Sequence, residues 1–193
     1  MKSGLTEIVF ILDSNPSAPD FDKQARKSLG NFFSAMKKKD SEIKVTFAVY
    51  GSSGGYKIFA DDVPVAALRM SAKYFEKGNG TRDLFDSAAG AIYEKGTAYS
   101  RTDESEHPEN VIFVITAFGR DNASKSNTYS KVAEIIGHQA YVYKWRFFCL
   151  TTDTTVSSQL GIPAEAVMML DLEDEDFLGK GLGELQKKIS EIV

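Results

Sequence analysis

The sequence predicts an α/β fold: a doubly wound, mostly parallel sheet in the order 3-2-1-4-5-6, with one antiparallel edge strand and helices on both faces. Three observations predict it. Ile8-Val9-Phe10-Ile11-Leu12 and Val111-Ile112-Phe113-Val114-Ile115 are continuous apolar runs of strand length, the pattern of central strands covered on both faces. Segments of helical periodicity alternate with such runs, as when parallel strands are joined by crossovers. One tight turn, Gly51-Ser52-Ser53-Gly54-Gly55, separates two strand-like arms and adds the antiparallel edge.

The elements follow in order. The first apolar run stops at Asp13. A helix is expected from about Asp20 to Lys39, with Phe21, Ala25, Leu29, Phe32, Phe33 and Met36 at three-to-four spacing. It closes in Lys37-Lys38-Lys39, which suits the negative end of a helix dipole and reads as a solvated helix end. Ile43 to Tyr50 is the second strand and Tyr56 to Ala60 the edge arm. After Pro64 an irregular section leads to Lys77-Gly78-Asn79-Gly80-Thr81. The next helix, about Arg82 to Ala98, carries Leu84, Phe85, Ala88, Ala91 and Ile92 on one face. Ser100 to Asn110 is a polar loop, and the run Val111 to Ile115 ends at Thr116. A turn over Ala117 to Asn127 precedes a helix near Tyr129 to Gln139. Arg146 to Leu150 and Val167 to Leu170 are two further strands, with a short helix around Val156 to Leu160 between them. The closing helix, about 181–192, turns Leu185, Ile189 and Ile192 to one side.

Composition bounds the function. The chain has 193 residues, 42% hydrophobic and 26% charged, which excludes disorder and suits one domain. Cys149 is the only cysteine, so no internal disulfide forms, and its neighbours Phe147, Phe148 and Leu150 mark it as a small buried hydrophobe. The net charge of −4 argues against a general nucleic-acid binder. Nowhere do enough apolar residues run together to span a membrane, and Ile8–Leu12 is too short for a signal-peptide core, so the expected location is cytoplasmic.

Several chemistries lack their residues. The loop after the first strand holds no glycine, there is no P-loop, and Gly179-Lys180-Gly181-Leu182-Gly183 has the wrong spacing for a dinucleotide turn. There is no Gly-x-Ser-x-Gly elbow, and His107 and His138 read as solvated. One cysteine and two scattered histidines cannot build a Cys/His metal cluster. Asp171-Leu172-Glu173-Asp174-Glu175-Asp176 reads as a solvated acidic loop. What remains is Asp13-Ser14-Asn15-Pro16-Ser17 at a strand end, where alternate short polar residues aim several oxygens at one point, as hard cations such as Mg²⁺ require.

Over nearly its whole length, from Thr6 to about Leu170, the chain resembles the von Willebrand factor A domain in the stand-alone form of bacterial and phage proteins. That family opens with an apolar strand ending in Asp-x-Ser-x-Ser, and Glu7 to Ser17 reads Glu-Ile-Val-Phe-Ile-Leu-Asp-Ser-Asn-Pro-Ser. Its second motif, a Thr between a Gly-rich loop and a Leu-x-Asp-Ala helix, matches Gly78-Asn79-Gly80-Thr81 and Leu84-Phe85-Asp86-Ser87. Its third, a strand running into Thr-Asp-Gly, aligns with Val111 to Ser124, ending Ile-Thr-Ala-Phe-Gly-Arg-Asp-Asn-Ala-Ser. The resemblance implies a Rossmann-like sheet and a metal-ion-dependent adhesion site that takes a carboxylate from a partner.

Two departures mark that site as degenerate. Asn15 replaces the first motif serine, and Phe118 stands where the third-motif aspartate belongs, with Asp121 and Asp83 off the family's spacing. Asp13, Asn15, Ser17 and Thr81 are therefore expected to form a weakened or lost Mg²⁺ site, with no other cofactor. Asp13 is expected to find hydroxyl or backbone N–H donors, with Ser17 and Thr81 the obvious candidates. The resemblance implies a non-enzymatic module whose partner is another protein, docked on loops carrying Ser14, Pro16, Asn79, Gly80, Phe118 and Arg120. One alternative is a structural subunit packing through other faces. A second, a haloacid-dehalogenase-like phosphatase, has its nucleophile in Asp13 but lacks the acid–base at Asn15 and the acidic pair after Thr116.

Overall fold

A computed structural model describes residues 1–15, 20–38, 41–52, 55–76 and 78–193. Its six-stranded sheet has the expected order, β3-β2-β1-β4-β5-β6. The strands are β1 (Lys2–Asp13), β2 (Glu42–Ser52), β3 (Gly55–Pro64), β4 (Pro108–Ala117), β5 (Arg146–Thr151) and β6 (Val167–Met169). β2 and β3 pair antiparallel, and the other neighbours pair parallel. This is an α/β doubly wound fold.

Side-chain alternation along β1 sorts the core. Ile8, Phe10 and Leu12 pack with α1 (Phe21–Met36) and α5 (Phe177–Ser190) on one face. Val9 and Ile11 pack on the other face with α2 (Leu84–Tyr99), α3 (Tyr129–Tyr143) and α4 (Thr154–Gln159). β1 and β4 are central, buried on both faces by these layers, which explains their unbroken apolar runs. Cys149 is fully buried in β5, and burial pushes its thiol up to about 12, so it is inert packing. No described helix is long and apolar enough to cross a membrane.

Several elements outrun their apolar signal. β3 continues through Asp61 and Asp62 to Pro64, because an edge strand has one solvated flank where charge is tolerated. There Lys44 pairs with Asp62 at 2.8 Å, and the Thr46 hydroxyl accepts the Asp62 N–H at 3.1 Å. α5 begins at Phe177, ahead of the expected 181, and takes in the whole Gly179–Gly183 segment. Gly181 lets this helix close on the sheet, since a Cβ there would lie 2.4 Å from Leu170. α3 runs on to Tyr143 and stops at Lys144, which is left-handed with φ 59°. α1 ends at Met36, and Lys39 lies outside the described residues. His107 is not simply solvated: its Nε2 lies 2.8 Å from the Tyr99 carbonyl.

Candidate functional site

Three segments meet at the carboxyl ends of β1 and β4, where ligands of open α/β sheets bind. The first is Asp13-Ser14-Asn15. Thr116 at the end of β4 fixes its start, accepting the Asp13 N–H at 2.7 Å through its hydroxyl. The second is the stretch from Gly78 to Asp83 ahead of α2. The third is the loop from Phe118 to Asn127 after β4.

Asp13 is fully buried and its carboxylate is engaged on both oxygens. Oδ1 accepts the Asn15 N–H at 2.8 Å. Oδ2 accepts the Phe118 N–H at 2.9 Å and the Arg82 Nε–H at 3.1 Å. Burial pushes the carboxyl above its ordinary range, while the two backbone donors and the guanidinium pull it back. Arg82 also donates through Nη2 to the Asn15 carbonyl. Its side chain is 16% exposed. Gly119 makes room for it, because a Cβ at that position would lie 2.9 Å from the guanidinium carbon.

Asn15 uses its whole amide as a bridge. Nδ2 donates to the carbonyls of Gly51 at 2.6 Å and Thr81 at 2.8 Å, and Oδ1 accepts the Gly80 N–H at 2.7 Å. The Asn15 amide packs so closely on the Gly51 backbone that a Cβ on Gly51 would lie 2.1 Å from Asn15 Nδ2. One on Gly78 would lie 2.2 Å from the Gly51 carbonyl oxygen. Asn122 ties the second loop to the third: its Oδ1 accepts the Arg82 N–H at 2.7 Å and its Nδ2 donates to the Gly80 carbonyl at 3.1 Å.

The two helix-side motifs are loop anchors. Asp86 accepts backbone N–H bonds from Lys125 at 2.7 Å, Ser126 at 3.1 Å and Asn127 at 2.7 Å. Partial burial opposes its charge, but these donors hold its carboxyl below the ordinary range. Asp121, in turn, accepts the Phe85 N–H at 3.1 Å and the Ser124 hydroxyl at 2.6 Å.

Several expectations are corrected by this geometry. Thr81 does not serve Asp13; its hydroxyl donates to Asn79 Oδ1 at 2.6 Å. Phe118 does not line a binding loop. Its ring is 5% exposed and packs edge-on to Phe21 and Phe177, because strand alternation carries it onto the face of Ile112 and Val114. Ser14 is buried too, donating to the Tyr50 carbonyl at 2.7 Å. Asn79, Gly80 and Arg120 are exposed, and Arg120 pairs with Asp153 at 2.8 Å. Ser17 and Pro16 lie outside the described residues.

The described residues do not fit a divalent cation. Mg²⁺ needs oxygens converging on one point. Here the Asp13 oxygens face three N–H donors, Asn15 Oδ1 faces Gly80, and the Thr81 hydroxyl faces Asn79. The positive charge beside Asp13 is the Arg82 guanidinium. Arg82 is the residue that reading the sequence missed, having counted it only as the start of a helix. The available signal was a buried strand-end Asp deprived of its usual companion charge, with a basic residue next to the motif threonine.

No protein-family model matches the chain, and no curated protein matches it in sequence. Among solved structures, proximal thread matrix protein 1 from the mussel byssus is similar in fold, with a TM-score of 0.63 over 94% of this chain. The two are 7% identical, and the match covers 48% of that protein, so this chain spans about half its length. The likeness is one of fold alone.

Proposed function

We propose that the chain is a non-enzymatic, protein-binding module of the von Willebrand factor A type, engaging its partner through the loops at the carboxyl ends of β1 and β4. The observation that carries this reading is the joining of three loops into one face by Asn15, Arg82 and Asn122, with Asn79, Gly80 and Arg120 exposed upon it. Asp13 supports the absence of catalysis: a carboxylate with no exposure and both oxygens bonded has no path to attack a substrate.

The test is capture from an extract of the source cells with three immobilised proteins. One is the unmodified chain, one carries Asn79→Arg with Arg120→Glu, and one carries Tyr141→Ala with Tyr143→Ala. A partner lost only by the first variant supports the reading. The structural-subunit alternative has its own observation, an exposed aromatic strip at the opposite end. There Tyr93, Val142 and Tyr143 border a groove of about 910 Å³ between α2 and α3, with Tyr141 80% exposed nearby. Loss only in the second variant moves the function to that strip. Turnover of a phosphomonoester, abolished by Asp13→Asn, would instead restore the phosphatase alternative.

A further inference from the structure

We propose that the Arg82 guanidinium is a tethered cation: it takes the place of a divalent ion at the strand ends, neutralises Asp13 and ties the loop before α2 to the end of β1, so that this face is assembled without metal. The proposal rests on the interaction-module reading only for what the face is used for.

Charge and geometry carry it. Asp13 is fully buried, and a buried carboxylate needs a positive partner or several donors. Arg82 supplies the charge from the loop before α2, at 3.1 Å from Oδ2. A metal ion in this place would hold oxygens of several loops together. The guanidinium ties the loop before α2 to the end of β1 with two N–H donors, one to Asp13 and one to the Asn15 carbonyl, while the link to the loop after β4 is made by the Arg82 backbone N–H on Asn122. A planar fork holds its donors at fixed angles in one plane, whereas an ammonium's three donors rotate about the Cε–Nζ bond.

The surroundings are shaped to this group. Gly119 leaves the space its guanidinium fills. Phe118, where a second carboxylate would stand, turns its ring into the core and offers Asp13 its N–H. One carboxylate with one guanidinium is balanced, whereas a carboxylate pair would call for a doubly charged ion. Asn15, the other departure, is bonded through both ends of its amide, so serine at this position would open the loops instead of restoring a ligand.

Thermal melts of the full chain test this. The unmodified protein should melt at one temperature in EDTA, MgCl₂ or MnCl₂. Arg82→Ala should lower it by on the order of 5–10 °C. Millimolar ethylguanidinium, which has the shape of the deleted group, should recover part of that loss, and ethylammonium at the same concentration should not. The Asp13→Asn, Arg82→Ala double variant should not respond to ethylguanidinium. Should the alanine variant not fold, its recovery on refolding with ethylguanidinium but not ethylammonium supports the proposal, and equal failure with both overturns it. An Arg82→Ala protein that melts like the parent, or a parent stabilised by Mn²⁺, overturns it as well. None of these readouts involves a partner, so they stand or fall separately from the capture experiment.

Discussion

Helix α2 is strapped to β1 at both ends by a buried carboxylate and a long cation, and the two straps differ in kind. At its start Arg82 reaches Asp13. In its last turns Lys95 reaches Glu7 at 2.6 Å and Asp61 of β3 at 2.8 Å, while Thr46 and Tyr99 donate hydroxyls to Glu7. Lys95 is a point charge on a rigid helix, shared between two carboxylates, and it fixes where α2 lies on the sheet. Arg82 sits in a loop and forks onto a carboxylate and a carbonyl, so it fixes how loops lie against one another. The same charge pairing anchors a helix at one end and builds a surface at the other.

The Lys95 strap should be the costlier one to cut. Glu7 and Asp13 are both buried, but the Lys95 side chain is 7% exposed against 16% for Arg82 and serves a second carboxylate, Asp61, so less water can replace the lost ammonium. Lys95→Met is expected to destabilise by about 3–5 kcal/mol in urea denaturation. Its pH dependence also identifies the strap. Burial works against the Lys95 charge, but Glu7 and Asp61 prevail and raise its pKa above the ordinary 10.5. The strap's stabilisation is therefore complete below 10.5 and fades as pH climbs through the raised value, so parent and Lys95→Met should converge in strong alkali.

Arg82→Ala is expected to cost less, about 2–3 kcal/mol, because Asp13 keeps its two backbone donors and the space vacated by the partly exposed arginine side chain admits water. With the guanidinium gone, the Asp13 pKa should rise further above its already raised position, which carboxyl NMR titration would follow. A smaller loss is expected from Gly119→Ala, about 1–2 kcal/mol, since the new methyl pushes the guanidinium away from Asp13 without deleting it. Arg120→Ala breaks only an exposed pair with Asp153 and should leave stability unchanged, which separates a charge that builds the face from one that merely lies on it.

The sheet order and the central strands were legible because unbroken apolar runs at Ile8–Leu12 and Val111–Ile115 admit little but doubly covered strands. The outer parts of β3 were not, since Asp61 and Asp62 look like loop residues until the Lys44, Thr46 and Lys95 partners are in place. At the site, the meeting of Asp13 with the loop after Thr116 followed from two adjacent strand ends. Phe118 went astray because motif alignment placed it among binding loops, whereas counting the alternation from Val114 places it in the core. Arg82 left no periodic trace at all: its role depends on a turn that points the side chain back over Gly119, and only three dimensions supply that turn.

The most direct measurement is a crystal structure of the unmodified chain grown in MnCl₂, with anomalous data collected at the manganese edge. A tethered guanidinium predicts no anomalous peak near Asp13 and planar density for Arg82 between Asp13 Oδ2 and the Asn15 carbonyl. A manganese peak bonded to Asp13, with Arg82 swung into solvent, would contradict it.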